Sequence, residues 1–106
     1  MKVSLYQVDA FTASLFGGNP AAVCPLEFWL DDATMQAVAA ENNLAATAFL
    51  VPEGARYALR WFSPLNEIDL CGHATLASGF VVLSYLRPAA SSVDFSTRSG
   101  RLTVAR

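Results

Sequence analysis

The sequence predicts an α+β domain, rich in strands and carrying two helices. Short stretches of alternating or β-branched residues recur along the chain, bounded by Gly, Pro and Asn clusters. Helical periodicity is confined to two segments, near 30–41 and 73–86. Strands and helices do not alternate regularly, as a sheet of parallel strands with crossover helices requires.

Each element has its own local cause. Val3, Leu5 and Gln7 oppose Ser4, Tyr6 and Val8, which gives a first strand with both faces partly covered. Phe16-Gly17-Gly18-Asn19-Pro20 is a turn cluster, because proline pushes the residue before it toward extended geometry. Ala21–Cys24 follows as a short strand. Leu30 to Glu41 is a helix capped by Asp31 or Asp32, with Leu30, Met35, Val38 and Ala39 on one face. Asn42-Asn43 ends it, since asparagine tolerates the left-handed exit conformation. Ala46–Val51 and Arg56–Phe62 form a hairpin across Pro52-Glu53-Gly54-Ala55. Ile68–Leu70 is short and extended. The helix from His73 to Leu86 is apolar around most of its circumference, so strands should wrap it. Arg87-Pro88 stops it, and Val93–Thr97 and Leu102–Val104 pair as last strands across Ser99-Gly100.

The chain has 106 residues, one domain's worth, with no repeat and no low-complexity stretch. It is 54% hydrophobic and 15% charged, so a folded copy has apolar surface to cover, and a homodimer is expected. A net charge of −2 without a basic cluster argues against nucleic acid as a partner. The N-terminus lacks the continuous apolar core of an export signal, and no apolar run is long enough to span a membrane. A cytoplasmic protein with Cys24 and Cys71 reduced is the corresponding expectation.

The stretch Leu70-Cys71-Gly72-His73-Ala74-Thr75-Leu76 holds the only histidine. It lies where a strand meets a helix. The first turn of a helix leaves N–H groups unpaired and carries partial positive charge, which suits a carboxylate or phosphate. Gly72 leaves room for its approach, and His73 supplies a hydrogen-bond donor or a proton near neutral pH. Cys71 reads two ways, as a base with a lowered pKa beside the helix start or as a small buried hydrophobe. His73 equally reads as a structural residue. One His and two distant Cys do not make a metal site, and no Gly-x-Ser-x-Gly elbow is present.

A set of motifs then resembles one family. They are Val8-Asp9-Ala10-Phe11, Gly18-Asn19-Pro20-Ala21-Ala22-Val23, Met35-Gln36 with Glu41-Asn42-Asn43-Leu44, Arg60-Trp61-Phe62-Ser63-Pro64, Glu67-Ile68-Asp69-Leu70-Cys71-Gly72-His73-Ala74-Thr75, and Thr97-Arg98-Ser99-Gly100. In this order they resemble the N-terminal domain of the phenazine-biosynthesis PhzF-like isomerases, relatives of diaminopimelate epimerase. The resemblance implies half of a diaminopimelate epimerase-like fold: a curved, mostly antiparallel sheet wrapped around a central helix, here Gly72 to Leu86. It implies a single domain over 1–106, with the family's second domain absent.

It also implies chemistry. Family members isomerise a small cyclic or amino-acid-like carboxylate by moving a proton, without metal or organic cofactor. By this resemblance His73 is the catalytic residue present, and Gly72, His73, Ala74 and Asn19 bind substrate. Cys71 matches a base in the epimerase relatives, a role PhzF-like enzymes do not give that position. The family's catalytic glutamate follows Asn-Leu-Ser, but this sequence reads Asn43-Leu44-Ala45-Ala46-Thr47. Ala46 occupies the glutamate position, and a methyl group neither accepts nor delivers a proton. Glu41 is the nearest acid, near the end of the preceding helix. A non-catalytic carboxylate-binding or self-associating domain, or an inactive fragment, is the alternative to an isomerase.

Overall fold

Alternation of side chains, and its failure at one strand, sets the layers. The computed structural model describes residues 4–10 and 19–106. The strands are β1 (Tyr6–Ala10), β2 (Asn19–Pro25), β3 (Ala46–Glu53), β4 (Arg56–Phe62), β5 (Glu67–Ile68), β6 (Ser92–Thr97) and β7 (Gly100–Ala105). The helices are α1 (Asp32–Asn42) and α2 (Gly72–Val81), and α2 runs on into a π-helical turn over Val82–Leu86. The strands make one sheet in the order β1-β2-β3-β4-β6-β7, with β5 added to β4.

On β3, Ala46, Ala48 and Leu50 point to one face while Thr47 and Phe49 point to the other, and all five are buried. A strand covered on both faces reads as a continuous apolar run. The same parity places Tyr57, Leu59 and Trp61 of β4 on the face of α2, and Phe62 on that of α1. Each helix thus covers one side of the sheet.

The pairing follows from these connections. Most neighbours are antiparallel, as in the β3–β4 hairpin with Leu50 opposite Leu59. Two pairs are parallel, β2–β3 (Ala21 beside Ala46) and β4–β6 (Tyr57 beside Phe95). α1 lies in the first connection and α2 in the second, as parallel neighbours require a long crossover. Because α2 contacts both β1 and β7, the edges of the path, the sheet curves around it.

Local signals explain the ends. Asp31 is the N-cap of α1, accepting from the Thr34 N–H at 3.3 Å, and Asn43 closes the helix with φ 52°. The first strand sits later than predicted, and Asn19 and Pro20 belong to β2 rather than to a turn. The predicted turn residues Phe16, Gly17 and Gly18 lie outside the described residues, as does the Asn19 side chain. The predicted helix to Leu86 keeps its length but widens after Val81, where the Arg87 N–H reaches back to the Val82 carbonyl at 2.6 Å. The Arg106 guanidinium closes that end on the carbonyls of Leu83, Pro88 and Ala90, all within 2.8 Å.

An ion network ties α1 and the β6–β7 turn to the segment entering α2. Arg60 of β4 pairs with both Glu67 oxygens at 2.8 Å and reaches Asp32 at 3.1 Å. Its guanidinium also lies 5.4 Å from the ring centroids of Trp29 and Phe62. Arg98 bridges Glu67 and Asp69, and the Ser99 hydroxyl donates to the Asp69 carbonyl at 2.6 Å. Hydrogen bonds from Arg60 hold the Glu67 carboxyl below its ordinary value. A depressed folded-state pKa stabilises above the unfolded value and is lost as pH falls through the folded one. Glu67→Gln is therefore expected to cost about 1–2 kcal/mol at neutral pH. It should also flatten the decline in stability between about pH 5 and 2, read from urea melts of both proteins.

Candidate functional site

The N-terminus of α2 is built by the strand-to-helix passage Ile68-Asp69-Leu70-Cys71-Gly72. Cys71 is the N-cap, with extended φ −145° and ψ 98°. The first helical hydrogen bond runs from the Thr75 N–H to the Cys71 carbonyl at 3.0 Å, so the N–H groups of Gly72, His73 and Ala74 stand ahead of the ladder. The Cys71 side chain makes no capping hydrogen bond. The inward hydroxyls of Thr75 and Ser78 bond back to the carbonyls of Cys71 and Ala74, both at 2.8 Å, which lets them sit in an apolar core.

The predicted site residues divide clearly. Gly72 is exposed, and a Cβ added there would meet nothing within 4 Å, so its backbone faces open ground. His73 is half-buried beside it. Ala74 is fully buried, so only its N–H is left to contribute. Ala46 is fully buried at the start of β3 and joins the same cluster as Cys71 and Ala74. Ala45 is exposed. Asn19 pairs with Ala10 at the far end of the β1–β2 ladder, its side chain outside the described residues. Glu41 is exposed on α1, the helix that covers the opposite face of the sheet, and does not reach this cluster.

The thiols are separated by the sheet. Cys24 packs with Met35 and Phe49 under α1, whereas Cys71 packs with the α2 cluster, and both are free. Burial pushes the Cys24 thiol up to about 12. Burial also raises Cys71; the Ala74 N–H faces its sulfur and opposes this, without the geometry of a cap. Neither is a thiolate near neutral pH. Cys71 Sγ lies 3.6 Å from His73 Nδ1 and 3.9 Å from Nε2.

Three features are not in the sequence reading. Trp61 is fully buried in the α2 cluster, and its Nε1–H has no partner among the described residues. Gly79 on α2 lies against Val104 of β7. The Arg60–Glu67 pair steadies the approach to the helix. Gly79 had a signal, a glycine inside an apolar helical run, which marks a close approach. Chemically, the start of α2 offers backbone donors, an imidazole and open access, with no carboxylate at position 46. Among the described residues, no three His, Cys, Asp or Glu side chains come together, and no helix is long and apolar enough to cross a membrane.

Comparison with known proteins matches nearly the whole chain to one family. The phenazine biosynthesis-like protein family PhzC-PhzF matches residues 8–106. An uncharacterized isomerase of Pseudomonas aeruginosa is 56% identical over the whole chain, which spans 41% of that protein. A crystal structure of a phenazine biosynthesis protein of the PhzF family from Enterococcus faecalis superposes with a TM-score of 0.94 at 55% identity, over all of this chain and 41% of that one. A Pseudomonas aeruginosa protein described as a predicted epimerase shares the fold, with a TM-score of 0.82 at 27% identity over 99% of this chain and 39% of its own. The chain thus spans about two fifths of the length of the relatives it matches.

Proposed function

The chain belongs to the PhzC-PhzF, phenazine biosynthesis-like, family, and on that premise we propose that it carries the ligand-holding half of a cofactor-independent isomerase or epimerase site. The substrate class is a small cyclic or amino-acid-like carboxylate, bound at the start of α2. The carrying observation is the open N-terminal turn of α2, with Gly72 uncovered and His73 beside it. The carboxylate meets the unpaired N–H groups and the positive end of the helix dipole, and His73 donates to it or passes a proton.

Ala46 favours a second reading, a carboxylate-binding domain without turnover. Its methyl group stands where the family resemblance puts the base, so binding survives without proton abstraction. Deuterium wash-in from heavy water into a panel of cyclic and α-amino carboxylates separates the two. Exchange by the native chain at only the uncatalysed rate would favour the second reading. Ala45→Ser with Ala46→Glu, shown to be folded by circular dichroism, should accelerate exchange by about 10²-fold, the low end for a positioned general base. Rapid exchange by the native chain would instead mean that another group serves as base.

The same reading carries a cytoplasmic setting, which keeps both thiols reduced, and pairing with a second copy. Leu76 and Phe80 stand exposed on α2 and, with Val8 and Val104, line a groove of about 710 Å³ along its flank. Exposed apolar surface of this kind supports self-association. Light scattering after gel filtration should give the mass of a dimer, and a concentration-independent monomer would remove the homodimer from the proposal.

A further inference from the structure

We propose that Ser99, at the tip of the β6–β7 hairpin, is a positioning residue for the start of α2: its hydroxyl holds the Asp69 carbonyl and so fixes the passage that aims the Gly72, His73 and Ala74 N–H groups at the ligand. This rests on the reading of the α2 N-terminus as a carboxylate site, and it names what keeps that site in shape.

Between the end of β5 at Ile68 and the start of α2 at Gly72, the chain crosses Asp69, Leu70 and Cys71 outside any strand or helix. Two of these bury little, since the Asp69 side chain and Leu70 are exposed. Cys71 is packed in the α2 cluster and anchors the far end, without a capping hydrogen bond from its side chain. Packing therefore does not fix the passage at Asp69. There the Ser99 hydroxyl donates to the Asp69 carbonyl at 2.6 Å, from 30 residues further along the chain. The donor is itself held. Thr97 and Gly100 pair at the end of the β6–β7 ladder, so Arg98 and Ser99 form a two-residue hairpin loop. The Thr97 hydroxyl donates to the Gly100 carbonyl at 2.7 Å and accepts from the Ser99 N–H at 3.0 Å. Gly100 takes φ 99°, which glycine adopts without strain. The neighbouring ion pairs are weaker ties: Arg98 reaches Glu67 at 3.3 Å and Asp69 at 3.5 Å, but it is half-exposed and solvent screens both. Arg98 also carries a charge that attracts an anion directly. Ser99 is neutral, with its hydroxyl hydrogen committed to Asp69, so its effect on a ligand passes through the backbone.

A hydrogen bond to a carbonyl deshields the amide nitrogen that follows it, so the Leu70 ¹⁵N signal reports the Ser99–Asp69 bond. Ser99→Ala, shown to be folded by its urea melt, should move the Leu70 signal upfield. Benzoate affinity, measured on the same samples, should fall about fivefold, the effect of one lost hydrogen bond. Ser99→Thr keeps the hydroxyl and should hold both the signal and the affinity near their native values. A Leu70 signal that Ser99→Ala leaves in place would show that the bond is not made in solution, and overturns the proposal. So does a moved signal with native benzoate affinity, because the bond would then not serve the site. Equal losses of affinity in Ser99→Ala and Ser99→Thr overturn it too, since the hydroxyl would not be the cause. A native chain that binds no benzoate overturns the carboxylate reading itself, and this role of Ser99 with it.

Discussion

Gly79→Ala is expected to destabilise the fold by about 2 kcal/mol, although alanine is the better helix former. A Cβ on residue 79 would stand 2.5 Å from Val104 Cγ1, 2.7 Å from its Cβ and 2.9 Å from Cγ2. Those contacts lie far inside van der Waals distance. Val104 is β-branched and held in β7, so it has no flexible end to swing away. Overpacking of this kind costs about 1–3 kcal/mol and sometimes more, and the better helix propensity returns about 1 kcal/mol. Adding Val104→Ala should recover most of the loss, a coupling that two distant sites do not show. Urea melts of the two single variants and the double variant measure it. A Gly79→Ala protein as stable as the native one would mean that β7 does not press on α2, and that the sheet is less closely wrapped around it.

Trp61→Ala should cost more, about 4 kcal/mol, because it empties the place of a fully buried side chain at the centre of the α2 cluster. The informative partner is Trp61→Phe. It keeps an aromatic ring and removes the indole N–H that has no partner among the described residues. A buried donor without an acceptor costs about 1–3 kcal/mol, so removing it offsets part of the lost volume. The phenylalanine variant should lie within about 1.5 kcal/mol of the native protein. Two equally large losses would show that the indole nitrogen has a partner in solution, such as an ordered water.

These two residues mark what the sequence did and did not reveal. Most strand and helix positions were readable because each is signalled locally, although Asn19 and Pro20 read as a turn and belong to β2. Asn43 takes the left-handed conformation that its side chain tolerates, and Asp31 caps the helix it precedes. The second helix was recognisable as central from its apolar circumference, and the sheet curves around it. The parallel pairs β2–β3 and β4–β6 were not readable, since strand direction is set by which helix lies between the strands and on which face it docks. The close fit of Gly79 to Val104 joins residues 25 apart in sequence, and only the folded chain brings them together. The Arg60–Glu67–Arg98 network likewise joins three elements through residues that read alone as ordinary surface charges.

At the site, the start of α2 was predictable from the glycine and histidine at a strand-to-helix junction. The structure adds that the space above Gly72 is empty. It also restricts Ala74 to its backbone, because the methyl group is buried. The Cys71–His73 contact was open in the sequence, where the cysteine read as a base or as a hydrophobe. Burial answers against a base near neutral pH.

The central claim is that a carboxylate binds at the start of α2, and amide spectra recorded during a benzoate titration test it most directly. The expected result is saturable movement of the Gly72, His73 and Ala74 N–H signals, weakened at least about tenfold by Gly72→Ala, whose methyl group would stand in the approach while leaving the fold intact. Signals that stay still at these three residues, or a titration that Gly72→Ala leaves unchanged, would contradict it.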